Sequence, residues 1–158
     1  MRSLALNLMM AVIWLFLQPE PTLRDFLLGA LLGFGLLFVF RPILHSEDYV
    51  RRMVAAGTFA LVFLREFIVS CAELMYYALF VPVSRLRPEF LIYYVSGMTR
   101  TEILLLSHCI SLTPGTNTVD ISQDFTRLYL HVLDCADAEA VRAKIDQTFK
   151  RGILAFTR

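Results

Sequence analysis

The sequence predicts a membrane protein in two parts: N-terminal hydrophobic helices and a small C-terminal α/β domain of order β-α-β-β-α. Two observations predict it. Residues 1–83 are mostly Leu, Phe, Val, Ala and Met, whereas residues 84–158 alternate polar and apolar positions as water-facing folds do. The first stretch is also punctuated by Pro19, Pro21 and Pro42, which divide it into separate helical segments.

Segment one, Leu4–Leu17, is about 14 residues, or about 21 Å as a helix, short of the roughly 30 Å hydrocarbon core. No small-x-small cleavage site follows it, since the run ends in Gln18-Pro19-Glu20-Pro21; it is read as retained rather than as a signal peptide. Segment two runs from about Leu23 to Phe40 and closes at Arg41-Pro42. Its Gly29-x-x-x-Gly33 pattern either lets a second helix approach closely or reflects ordinary glycine usage in membrane helices.

Segment three, about Met53–Val83, is the longest and carries Arg65, Glu66 and Glu73 near its centre. A central charge costs about 2.5–3.5 kcal/mol on the insertion scale, so three cost roughly 7–10 kcal/mol. The nine Leu, Ile, Phe and Val residues between Thr58 and Tyr77 return only about 3–5 kcal/mol. Something must relieve the charges. At 100° per residue Glu66, Ser70, Glu73 and Tyr77 share one stripe with Arg65 at its border, a face suited to a protein partner or cavity rather than to lipid. The bland alternative puts Arg65 and Glu66 near an interface on a tilted helix. If all three segments cross, Arg24, Arg85, Arg87 and Arg100 lie on one side and Arg2, Arg41, Arg51 and Arg52 on the other, so charge bias leaves orientation open.

In the tail, Phe90–Val95 is β-branched and aromatic and reads as a strand. Thr99-Arg100-Thr101-Glu102 is a capping box that starts a helix over Glu102–Leu112. Thr113-Pro114-Gly115-Thr116 stops it. Thr118–Ser122 and Arg127–Asp134 form a hairpin around Gln123–Thr126, with Val119 and Ile121 on one face and Thr118, Asp120 and Ser122 on the other. A last helix begins near Asp137, with Val141, Ile145, Phe149 and Ile153 at i+4 spacing.

Chemistry is sparse. His45, His108 and His131 are far apart, and Cys71, Cys109 and Cys135 form no C-x-x-C pair, so the cysteines read as small buried hydrophobes and no metal or cofactor is expected. No nucleophile, zinc or phosphate-loop motif occurs, which argues against an enzyme. A net charge of +1 from 15 basic and 14 acidic residues, with the basic ones scattered, argues against nucleic acid as a partner. Asp134 and Asp137 are explained by capping. The turn residues Thr113, Pro114, Gly115 and Thr116 offer hydroxyls and backbone N–H groups to an anion, but a helix stop accounts for them more simply.

Several strings together resemble the E subunit of the Mrp-type multisubunit monovalent cation/proton antiporters. They are Trp14-Leu15-Phe16-Leu17, the glycine-spaced segment two ending Phe40-Arg41, Arg65-Glu66, Arg87-Pro88, Ile110 through Thr116, Asp120-Ile121-Ser122 with Asp124, Leu128-Tyr129-Leu130-His131, and Asp134 with Asp137-Ala138-Glu139. Asn117 departs from that pattern, where an apolar residue is expected. The resemblance implies an accessory, non-catalytic subunit of a sodium/proton exchanger in the cell membrane. Its partners would be the lipid bilayer and other hydrophobic subunits, with the tail in the cytoplasm. The stripe of Arg65, Glu66, Ser70, Glu73 and Tyr77 would then meet a neighbour. A rival reading from another class is a stand-alone membrane-anchored module that binds a small anion at Thr113–Thr116.

Overall fold

The computed structural model describes residues 2–158, which divide into two compact units, one reaching to residue 54 and the other running from 55 to 158. In the first, α1 (Arg2–Phe16) and α2 (Leu23–Val39) are joined through the Pro19–Pro21 loop, and α2 is started by a capping box of Thr22 and Asp25. The two glycines form a packing face. A Cβ on Gly29 would lie 2.8 Å from Trp14 Cβ and 3.0 Å from Ala11 Cα, and one on Gly33 would collide with Asn7 Oδ1. Small residues at this spacing let the backbones of α1 and α2 touch. Asn7 Nδ2 donates to Tyr49 Oη at 2.8 Å, and Ser46 Oγ donates to Leu37 O at 2.9 Å. A short turn, α3 (Arg41–Leu44), with Pro42 in its first turn, precedes the longest helix.

That helix is α4 (Glu47–Phe80), 34 residues, about 51 Å long. Among the described helices it alone is long and apolar enough to cross a membrane by length and composition. From Ala55 onward it belongs to the second unit.

The rest of that unit is a three-stranded antiparallel sheet with helices on one face. The strands β1 (Glu89–Tyr94), β2 (Thr116–Ile121) and β3 (Arg127–Val132) lie in the order β1-β3-β2. Between β1 and β2 comes α5 (Arg100–Leu112); after β3 come α6 (Ala138–Ile145), one π-helical turn (Asp146–Lys150) and α7 (Arg151–Thr157). Leu91, Tyr93, Leu128, Leu130 and Val132 point inward from the strands onto Ile103, Leu106, Ile110, Ile145, Phe149 and Ile153. The Tyr93 hydroxyl donates to Asp146 Oδ1 at 2.6 Å in the π turn, and burial raises its pKa.

The capping box of α5 forms as the Thr99/Glu102 spacing predicts, and its acid does more than cap. Glu102 is buried, accepting from Thr99 N at 2.7 Å and from Thr157 Oγ1 at 2.7 Å, with Arg158 Nη2 at 3.4 Å. The Thr157 hydroxyl first, then the Thr99 amide, and further on Arg158, hold its pKa down at about 2.

The hairpin departs from simple alternation. A bulge between Thr118 and Asp120 leaves Val119 out of register and 55 % exposed, while Thr118 pairs with inward-facing Leu130. The predicted Val119/Ile121 face is therefore broken: Ile121 keeps it and Val119 does not. Thr118 tolerates the inner side because its hydroxyl donates to Ser107 O at 3.3 Å and its N–H to Ser111 Oγ at 3.1 Å. Cys109 and Cys135 are buried and Cys71 is half-buried.

Candidate functional site

The polar stripe of α4 faces the α/β domain of its own chain. Two aromatic contacts set the register. Phe59 stacks on Phe156 at 5.5 Å between centroids and Phe63 on Phe149 at 6.2 Å. The Phe59 ring occupies the space a Cβ on Gly152 would need. Two turns further along, Glu66 lies against α6, its Oε2 3.3 Å from Lys144 Nζ and its Oε1 3.3 Å from Arg65 Nη1. The Glu66 side chain is 11 % exposed, whereas Arg65 is 75 % and Lys144 52 % exposed. Both bases therefore reach water while the acid is sheltered. A buried carboxylate with cations on both oxygens avoids the heavy cost of an unpaired charge. Near the end of α4, Tyr77 Oη donates to Asp134 Oδ2 at 3.4 Å. Asp134 also accepts from the Arg87 amide at 3.3 Å and pairs with the Arg87 guanidinium at 3.6 Å. Its role is to tie α4 and the entry to β1 to the end of β3; capping belongs to Asp137, which accepts from Glu139 N at 2.9 Å.

Between stripe and domain lies a cavity of about 180 Å³, lined in part by Glu66, Ser70, Glu73, Tyr77, Thr113 and Lys144. The two local features singled out in the sequence, the stripe and the Thr113–Thr116 turn, thus line one space. Pro114, Gly115 and Thr116 also border it. The turn's own polar groups are largely engaged. Thr113 Oγ1 donates to Ile110 O at 2.8 Å, Thr113 N to the same carbonyl at 3.2 Å, and Gly115 O accepts from Leu133 N at 2.9 Å. Gly115 takes φ +94, a left-handed conformation that favours glycine. The turn stops α5 and starts β2.

All five stripe residues thus lie on or beside the docked face. Glu66 and Ser70 are buried there, Tyr77 is half-buried, and Glu73 and Arg65 are exposed at its edge. Sequence reasoning missed Lys144, Gly152 and the Asp134–Arg87 pair, because long-range partners leave no local periodicity. The signal in reach was Gly152 inside an otherwise regular amphipathic helix. Among the described residues no three His, Cys, Asp or Glu side chains come together to hold a metal.

A mostly helical chain with one helix long and apolar enough to cross a membrane, a small sheet and a polar stripe partly engaged by its own domain has the makeup of a membrane-associated protein. The chain matches the family described as Na+/H+ ion antiporter subunit over residues 7–156. It is 35 % identical over 156 residues to the E subunit of the Na(+)/H(+) antiporter of Alkalihalophilus pseudofirmus, covering 99 % of this chain and 98 % of that one. It is 32 % identical, with the same coverage, to the E subunit of the Bacillus subtilis antiporter. To the E1 subunit of Staphylococcus haemolyticus it is 30 % identical, over 94 % of this chain and 95 % of that one. This chain belongs to the family of Na+/H+ antiporter E subunits. Its fold recurs in a chain of the Mrp complex from Dietzia sp. (TM-score 0.51, 23 % identity, 65 % of this chain and 96 % of that one). It recurs also in a chain of the membrane-bound sulfane sulfur reductase, an archaeal respiratory membrane complex (TM-score 0.59, 21 % identity, 98 % of each).

Proposed function

We propose that this chain is an accessory, non-catalytic membrane subunit of a multisubunit monovalent cation/proton antiporter, supporting its assembly and its sodium/proton exchange. The observation that carries this reading is the family match from residue 7 to residue 156, which takes in both compact units. The geometry supports the non-catalytic part. Glu66, the most sheltered acid of α4, is paired on both oxygens, so it serves the fold rather than a moving ion. The partners are the bilayer and the complex's other hydrophobic subunits, and nucleic acid has no part. The α/β domain lies in the cytoplasm, as the family resemblance implies. Arg65 and Glu73, exposed beside the docked face, are the stripe residues placed to meet a neighbouring subunit, while Glu66, Ser70 and Tyr77 lie against the chain's own domain.

The rival reading, an anion site at Thr113–Thr116, is disfavoured by charge. The cavity there is bordered by Glu66, Glu73 and Asp134 against Lys144, which repels an anion. Purification of a tagged chain in mild detergent distinguishes the two. Several very hydrophobic polypeptides should accompany it in fixed ratio; a chain that runs as a lone monomer and is stabilised by phosphate or sulfate would favour the anion-binding module.

A further inference from the structure

We infer that the cavity beside the polar stripe of α4 is a binding site for a primary alkylammonium group, an ammonium head on a short apolar stem. The residues that line it run from Glu66 to Phe149, all within one compact unit. Three observations point to that chemistry. Ser70 lines the cavity and is only 7 % exposed, yet among the described residues its hydroxyl has no hydrogen-bond partner. A sheltered hydroxyl left unpaired forgoes the bond it had in water, so it calls for a polar occupant. The acids around the cavity, next, are unequally matched. Glu66 is held by Lys144 and Arg65, and Asp134 by Arg87, whereas Glu73 has no ion pair among the described residues. Last, much of the remaining wall is apolar, with Leu74, Val141, Ile145 and Phe149 in it.

The occupant follows from these groups. Ser70 and Glu73 stand three residues apart on α4, where side chains are neighbours, so one ammonium with three N–H donors can serve both. Its charge matches the carboxylate left over. Lys144 does not fill that place, since its Nζ lies 3.3 Å from Glu66 Oε2. A bare metal ion fits poorly, because it asks for about six oxygen ligands. No three His, Cys, Asp or Glu side chains converge among the described residues. An anion would meet Glu73 as a like charge. The cavity's volume of about 180 Å³ is well beyond the roughly 10–15 Å³ that admits a single water, which leaves room for a stem of several methylenes on the apolar wall. A free amine and the lysine side chain of a neighbouring subunit carry the same group. The second source rests on the subunit reading above; the site itself does not.

The full chain, expressed without its neighbours and purified in detergent, tests the site. Titration with n-butylammonium chloride should raise Tm by about 2–4 °C at several times the Kd. Ammonium chloride, butan-1-ol and sodium butyrate, which lack the stem, the charge or its sign, should leave Tm unchanged. Ser70→Ala should weaken binding by about fivefold and Glu73→Gln by about tenfold or more. Neither substitution removes a hydrogen bond or ion pair that holds the fold. Absence of a shift, or an equal shift in both variants, would overturn the site. In the intact complex a carbodiimide, which condenses a carboxylate and an amine into an amide, separates the two sources. An amide between Glu73 and a neighbour's lysine assigns the stem to a subunit. No amide, with the butylammonium shift kept in the complex, assigns it to a free amine. Neither result in the complex would mean that assembly closes the cavity, and overturns the site. A chain that joins no complex yet shows the shift would uphold the site and overturn the subunit reading.

Discussion

Glu102 shows how one acid can hold together distant parts of the chain. Its carboxylate binds the start of its own helix and, through Thr157 and Arg158, the end of the chain. Because its folded pKa is held at about 2, below the ordinary carboxylate value, it favours the folded state above the unfolded pKa, and that contribution is lost as pH falls towards 2. Thermal melts of the purified protein from pH 6 down to pH 3 should show a fall in Tm that Glu102→Gln flattens; parallel curves would remove Glu102 from the account. At neutral pH the same substitution should cost about 2 kcal/mol, the scale of charge-assisted hydrogen bonds. Gly152 makes a second point. Any side chain there meets the Phe59 ring, so Gly152→Val should free the ring and raise hydrogen exchange in the middle of α4 by about tenfold or more. Unchanged protection would mean that Phe59 is not seated there.

Elements were legible where the sequence repeats locally. The capping box at Thr99, the i+4 apolar stripe from Val141 to Ile153 and the strand at Phe90 are all present, because backbone periodicity and cap chemistry are short-range signals. The bulge in β2 was not legible: nothing in Thr118-Val119-Asp120 marks it, and it arises from where α5 offers Ser107 and Ser111 as partners. The glycines of α2 were legible as a pattern but not as a contact until Ala11 and Trp14 were seen opposite. Gly29→Ile should separate α1 from α2, since Ala11 Cα and Trp14 Cβ are fixed parts of a helix and cannot yield as a side-chain tip would. A cysteine cross-link between the two helices that forms in the native sequence should fail in this variant. Retention of the cross-link would show that the close approach is not required.

At the scale of the whole molecule, the acids of segment three raise the question of shelter, and no sequence pattern says whose residues provide it: Glu66 is buried and Glu73 is exposed. For Glu66 the shelter is Lys144 and Arg65 of the same chain, the lysine contributed by a helix far along the sequence. The compact unit accordingly begins at residue 55, well before the change in composition at 83, because the second part of α4 is bound to the domain that follows it. As an accessory subunit, the chain should be dispensable for forming the ion path and needed for assembly. Membranes lacking it should lose sodium/proton exchange together with the assembled complex. Loss of exchange in a fully assembled complex would place ion chemistry within this chain.

The second part of α4 and the α/β domain form one compact unit joined at Glu66 and Lys144. A double-mutant cycle of Glu66→Gln and Lys144→Met, read as thermal stability of the purified complex, tests that joint directly. The two substitutions should be strongly non-additive, with a coupling of about 1 kcal/mol, since removing either partner already breaks the pair. Strictly additive effects, within about 0.3 kcal/mol, would mean the two side chains do not meet.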